Sequence, residues 1–111
     1  MGLLVNGRWS TRPHASDEDG RFVRTQTQFR HWVTPDGASG FTPEAGRYHL
    51  YVSLACPWAH RTLIYRSLKK LEAAISVSVV EPLMAESGWA FGDVDGAVPD
   101  SVDDAQFLHQ V

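Results

Sequence analysis

The 111-residue chain contains a single cysteine. One thiol cannot close an internal disulfide, so the disulfide framework of a small secreted domain is excluded. Long apolar runs are missing too, and no stretch approaches the roughly 18–20 apolar residues of a membrane-spanning helix. The opening Met1-Gly2-Leu3-Leu4-Val5-Asn6 lacks the charged start and apolar centre of a signal peptide. It also lacks the Ser or Thr that a myristoylation signal carries where Asn6 stands. There is no basic block: ten Lys and Arg stand against thirteen Asp and Glu, for a formal net charge of −3. The electrostatic footprint of a nucleic-acid or anionic-membrane partner is therefore absent. Phosphate-cradling glycine loops and dinucleotide fingerprints are absent as well. These features predict a cytoplasmic protein with neither nucleic acid nor membrane as partner.

What is present reads as an ordinary globular composition, with 43% hydrophobic and 21% charged residues. Residues 1–46 form an irregular, turn-rich arm. Val5-Asn6-Gly7-Arg8-Trp9 carries an Asn-Gly pair between apolar residues, a short hairpin signal. Pro13 to Gly20 is a polar loop, and Phe22, Val23, Phe29, Trp32 and Val33 are scattered apolar positions. Pro35-Asp36-Gly37 marks a turn.

From Tyr48 the pattern sharpens. Tyr48, Leu50, Val52 and Leu54 alternate with His49, Tyr51, Ser53 and Ala55, which predicts a strand over about 48–55. Ile64, Leu68 and Leu71 then recur at helical spacing with Leu63 beside them, predicting a helix over about 57–71. Lys69 and Lys70 would sit in its last turn, where cations suit the helix dipole. Ile75, Val77 and Val79 alternate with serines, a second strand over about 75–80. Strand, helix and strand in this order make a βαβ unit with parallel strands and a right-handed crossover. Residues 92–105 are an acidic loop containing Asp93, Asp95, Asp100, Asp103 and Asp104. Such a unit leaves a sheet face and edges uncovered, so residues 47–111 are expected to be an incomplete α/β domain of a longer protein.

The cysteine stands at the junction of strand and helix, in Leu54-Ala55-Cys56-Pro57-Trp58-Ala59-His60-Arg61. A thiol there lies at the first turn of a helix, where unpaired N–H groups and the dipole favour negative charge. The thiolate is the reactive form, so Cys56 is a candidate nucleophile rather than only a small buried hydrophobe. Pro57 suits the first helical position, since its missing N–H has no partner to lose. Ala59 occupies the place of the second thiol in a Cys-x-x-Cys pair. A mixed disulfide on Cys56 would therefore need an external thiol to resolve it.

The neighbouring residues have two readings each. His60 could serve as a base or stand on the surface, and Arg61 suits packing or a salt bridge better than catalysis. Trp58 could line a site beside the thiol or fill a hydrophobic gap. Trp89, in the loop after the second strand, could lie over a ligand or anchor its loop. His14, His31, His49 and His109 show no metal spacing. Asp93, Asp95 and Asp104 match positions of a calcium loop, but Ala97 and Val98 break that template, so no metal is expected. A solvated acidic loop is the simpler account.

The stretch Arg47-Tyr48-His49-Leu50-Tyr51-Val52-Ser53-Leu54-Ala55-Cys56-Pro57-Trp58-Ala59-His60-Arg61-Thr62 resembles the glutathionyl-hydroquinone reductases, the Xi-class glutathione transferases related to the Omega class. Gly20-Arg21-Phe22-Val23-Arg24, Phe29-Arg30 and Ser87-Gly88-Trp89-Ala90-Phe91 extend the resemblance. It implies a thioredoxin-like N-terminal domain followed by an all-helical domain that this chain lacks. It also implies reduction of glutathionyl-hydroquinones, with Cys56 attacking the glutathione sulfur and a second glutathione freeing it. By the same resemblance, Trp89, Pro57 and Trp58 lie on the glutathione side, and the full-length protein is a homodimer. The family's Val-Pro and Glu-Ser elements, which hold glutathione, are absent. Val98-Pro99-Asp100 lies in the acidic loop and is not the former.

Two alternatives stand beside this reading. One is an Omega-like thiol transferase or dehydroascorbate reductase. The other is a non-catalytic transferase-like binding module in which Cys56 is inert.

Overall fold

The computed structural model describes residues 2–11, 18–23 and 26–111. Residues 13–17 of the polar loop, with His14, and Arg24 lie outside the described residues. The first element is a hairpin of β1 (Leu3–Val5) and β2 (Arg8–Ser10), antiparallel, with Leu4 opposite Trp9. Its turn places Asn6 at φ 51° and Gly7 at φ 75°. Two successive residues of positive φ match the right-handed twist of the strands, which is why Asn-Gly is favoured there.

The second sheet pairs β3 (Tyr48–Val52) in parallel with β4 (Ile75–Val79), in register from Tyr48 opposite Ile75 to Val52 opposite Val79. Helix α1 (Pro57–Leu68) connects them. Parallel strands need such a crossover, because their ends lie at opposite sides of the sheet. β3 stops at Val52, three residues before the expected end at 55, because Ser53 to Cys56 close a turn: the Cys56 N–H donates to the Ser53 carbonyl at 3.0 Å.

Helix α1 also ends early, at Leu68 rather than near 71. Lys70 adopts φ 55°, the Leu71 N–H reaches the Arg66 carbonyl and the Lys70 N–H reaches that of Ser67, both at 2.9 Å. This left-handed termination satisfies carbonyls that the last turn leaves open. Lys69 and Lys70 therefore fall beyond the last turn, and Arg66 is its basic residue. The Arg66 guanidinium reaches past the helix to the carbonyls of Ile75 at 2.7 Å and Glu72 at 3.1 Å, tying α1 to the start of β4.

Ile64 and Leu68 stand on the exposed side of α1, and Leu71 lies beyond its end. Leu68 is 71% exposed and no residue of α1 is buried. Ala59, Leu63 and Arg66 are the half-buried stripe. The core is small: Val52, Val79, Val80 and Phe91 are buried, with Ser53, Ser78 and Asp100 among them.

The segment 92–105 is not simply a solvated acidic loop. Val98 forms an antiparallel rung with Val79 through two hydrogen bonds of 2.9 Å. Asp100 is buried against the sheet. Its carboxylate accepts from the Tyr51 hydroxyl and from the N–H groups of Val102, Asp103 and Ala105. A short backbone that must carry a carboxylate inward does so only where donors converge on it. The chain closes with a 3-10 turn at Leu108–Gln110.

Candidate functional site

Ser53 shapes the approach to the thiol. It is buried, its Oγ accepts from the Ala55 N–H at 3.3 Å, and its carbonyl accepts from Cys56. These two bonds turn the chain out of β3 and into α1. Cys56 is the N-cap of α1, with the extended backbone that an N-cap requires (φ −94°, ψ 115°). Its carbonyl already accepts the first helical bond, from the N–H of His60 at 3.1 Å.

The thiol itself makes no capping hydrogen bond, and Cys56 is half-buried and free. Sulfur is a weak acceptor, so the N–H groups of the first turn remain available to a bound anion. Pro57 occupies the first helical position. Together these residues offer a free thiol at the positive end of a twelve-residue helix.

Trp58 follows on the exposed surface, 67% exposed, with the Arg61 guanidinium 4.9 Å from its ring centroid. Stacking of this kind holds a cation near the helix start. His60 is also exposed. Trp89 stands elsewhere in the fold's framework. It borders a cavity of about 290 Å³ together with Leu4, Trp9, Leu108 and His109. Its carbonyl accepts from the Leu108 N–H at 2.9 Å. The structure thus brings Cys56, Pro57 and Trp58 together at one helix start, and seats Trp89 against the N-terminal hairpin.

A second polar cluster, on one side of β3 and β4, escaped sequence reasoning. His49 bridges two serines of β4, with Nδ1 2.6 Å from Ser76 Oγ and Nε2 2.9 Å from Ser78 Oγ. The Ser78 hydroxyl donates to the Pro99 carbonyl at 2.8 Å, so it receives the Nε2 proton of His49. Burial and the Asp100 carboxylate push the Tyr51 hydroxyl up to about 12. Burial pushes Asp100 up as well, but its backbone donors and Tyr51 outweigh that and hold it below the ordinary 3.8. The only sequence signal was polar residues at alternate strand positions, which solvent exposure explains equally well. Among the described residues no three His, Cys, Asp or Glu side chains converge as a metal site. No helix among them is long and apolar enough to cross a membrane.

No protein-family model matches the chain. The curated protein glutathionyl-hydroquinone reductase YqjG of Escherichia coli K12 is 52% identical over all of this chain, which spans 36% of it. Among solved structures, the Xi-class glutathione transferase of Natrialba magadii matches 99% of the chain and 32% of its own length, at 52% identity and a TM-score of 0.83. The glutathione-bound structure of Escherichia coli YqjG matches 78% of the chain and 30% of its own length, at 57% identity and a TM-score of 0.70. The chain therefore spans about a third of the length of these relatives. Its small α/β fold is that of a partial thioredoxin-like domain, and by sequence and fold together the chain belongs to the family of Xi-class glutathione transferases and glutathionyl-hydroquinone reductases.

Proposed function

We propose that the full-length protein reduces glutathionyl-hydroquinones with glutathione, and that Cys56 is its nucleophile. The observation that carries this is a free thiol at the N-cap of α1 with no second thiol anywhere in the chain. The thiolate attacks the sulfur of the aryl–glutathione thioether. The sulfur–aryl bond breaks, the aryl carbon takes a proton, and the hydroquinone leaves. Cys56 is left in a disulfide with glutathione. A second glutathione thiolate attacks that disulfide, expels the Cys56 thiolate and departs as glutathione disulfide. Electrons balance: two thiols' worth of sulfur is oxidised as one carbon–sulfur bond is reduced.

The same sulfur, free at the helix start, acts first as nucleophile and then as leaving group. Trp58 and Pro57 border the thiol, and Trp89 contributes on the glutathione side. The same reading has the protein act in the cytoplasm as a homodimer.

The test is the full-length protein incubated with a glutathionyl-hydroquinone and followed by mass spectrometry and product analysis. One glutathione adduct on Cys56, and loss of hydroquinone release in Cys56→Ala, are expected. Retained reductase activity in Cys56→Ala would sink the proposal. Faster turnover of small mixed disulfides than of glutathionyl-hydroquinones would instead favour a thiol transferase.

A further inference from the structure

Trp9 belongs to β2, in the arm, yet its indole is anchored far away in sequence. Its Nε1–H donates to the Glu86 carbonyl at 3.2 Å. Gly88, two residues on, lies against the same ring. A Cβ built on Gly88 would stand 2.9 Å from Cη2 and 3.0 Å from Cζ2 of Trp9, closer than real side chains approach. Gly88 also has φ +91°, where other residues are strained. The turn from Ala85 to Gly88 thus meets the indole at two points, the Glu86 carbonyl and Gly88.

The C-terminal segment holds Trp9 as well. The His109 ring stacks on the indole at 4.7 Å between centroids and 16° between planes. Phe107 continues the stack on His109, at 5.6 Å and 3°. The same segment binds the Trp89 carbonyl through the Leu108 N–H. Trp89 is consequently held on one side by the residue before it, pressed to Trp9, and on the other by its own carbonyl. A two-stranded hairpin is marginal in water by itself, so its placement depends on an anchor of this kind.

We infer that Trp9 is a positioning residue for glutathione binding: it fixes the Gly88-Trp89 segment and thereby sets where the Trp89 indole stands. This rests on the reading above that Trp89 lies on the glutathione side. The hairpin supplies no group to the thiol chemistry. It acts through the loop that bears Trp89.

The test uses the full-length protein and four variants: Trp9→Ala, Trp9→Phe, His109→Ala and Trp89→Ala. Glutathione KM, kcat at saturating glutathione and glutathione affinity by fluorescence titration are read for each. Trp9→Ala raises the glutathione KM roughly three- to tenfold, the range expected for loss of one aromatic pair, while kcat holds. Trp9→Phe, which keeps a ring against Gly88, recovers most of the affinity. His109→Ala shifts KM in the same direction and covers the case in which Trp9→Ala does not fold. An unchanged KM in Trp9→Ala and His109→Ala, alongside a raised KM in Trp89→Ala, overturns the positioning role alone. Equal loss of kcat and affinity in Trp9→Ala, without rescue by Trp9→Phe, overturns it in favour of a merely structural role. An unchanged KM in Trp89→Ala overturns the glutathione-side reading of Trp89 itself.

Discussion

The Tyr51 hydroxyl donates to Oδ1 of Asp100 at 3.0 Å across forty-nine residues of chain, and this bond fastens the acidic segment to the parallel sheet. Three backbone N–H groups complete the shell of the carboxylate. Acid should therefore loosen the segment. Asp100 titrates lower in the folded protein than its ordinary 3.8. A depressed carboxyl stabilises the fold above its unfolded value, and that contribution is lost as pH falls through the folded value. Thermal melts should be flat near neutrality and fall below pH 3.8. Asp100→Asn should melt lower at neutral pH, because an amide N–H₂ cannot accept from backbone N–H groups, and should lose most of the acid slope. At the other extreme, Tyr51 is raised from 10.0 to about 12, so its contribution holds below pH 10 and disappears as pH rises through that interval. An acid slope unchanged in Asp100→Asn would contradict this.

Cys56→Ser separates stability from chemistry. The thiol makes no cap bond although the backbone has N-cap geometry. A serine hydroxyl can accept from the first-turn N–H groups, so the variant should be more stable by roughly 0.5–1 kcal/mol. In the full-length protein the proposed reductase activity should be lost at the same time, since a serine hydroxyl is no thiolate. Paired denaturation and turnover measurements read both effects.

Lys70→Gly should also stabilise the chain. Lys70 is an exposed residue held at φ 55° to terminate α1. Glycine adopts that conformation without the Cβ penalty, for a gain of about 0.5–1 kcal/mol. A shift of the urea midpoint upward, with an unchanged slope, is the expected result.

Arg66→Met should cost about 1–2 kcal/mol, because it leaves the carbonyls of Ile75 and Glu72 without their charged donor. Arg66→Lys should recover little, since one ammonium cannot reproduce the planar fork. Equal stability of the Lys and Met variants, both below the parent, would fit. Full rescue by lysine would not.

The place of the thiol at a helix start was legible from local sequence, and the packing of distant segments was not. Cys56-Pro57 between an alternating run and a helical run predicts a thiol at a helix start, because N-cap and first-turn preferences act over a few residues. Asn6-Gly7 predicts its turn for the same local reason. The covered side of α1 was not legible: Ile64 and Leu68 recur at helical spacing and are exposed, while Ala59, Leu63 and Arg66 are the half-buried positions. Periodicity identifies an apolar face but not which neighbour covers it. The acidic loop misled in the same way, since charge alone predicts solvation and four converging donors reverse that for Asp100.

Local sequence, then, suffices to place a lone thiol at a helix start, with Ala59 rather than a second cysteine three residues on. Both follow from residue identity at Cys56 and Ala59 and from the backbone groups beside them. Tertiary structure decides which distant segments meet. Trp9 and Gly88 meet across most of the chain, and Tyr51 and Asp100 across forty-nine residues. Such contacts depend on close packing and hydrogen-bond geometry between distant segments, which no pattern of neighbouring residues encodes.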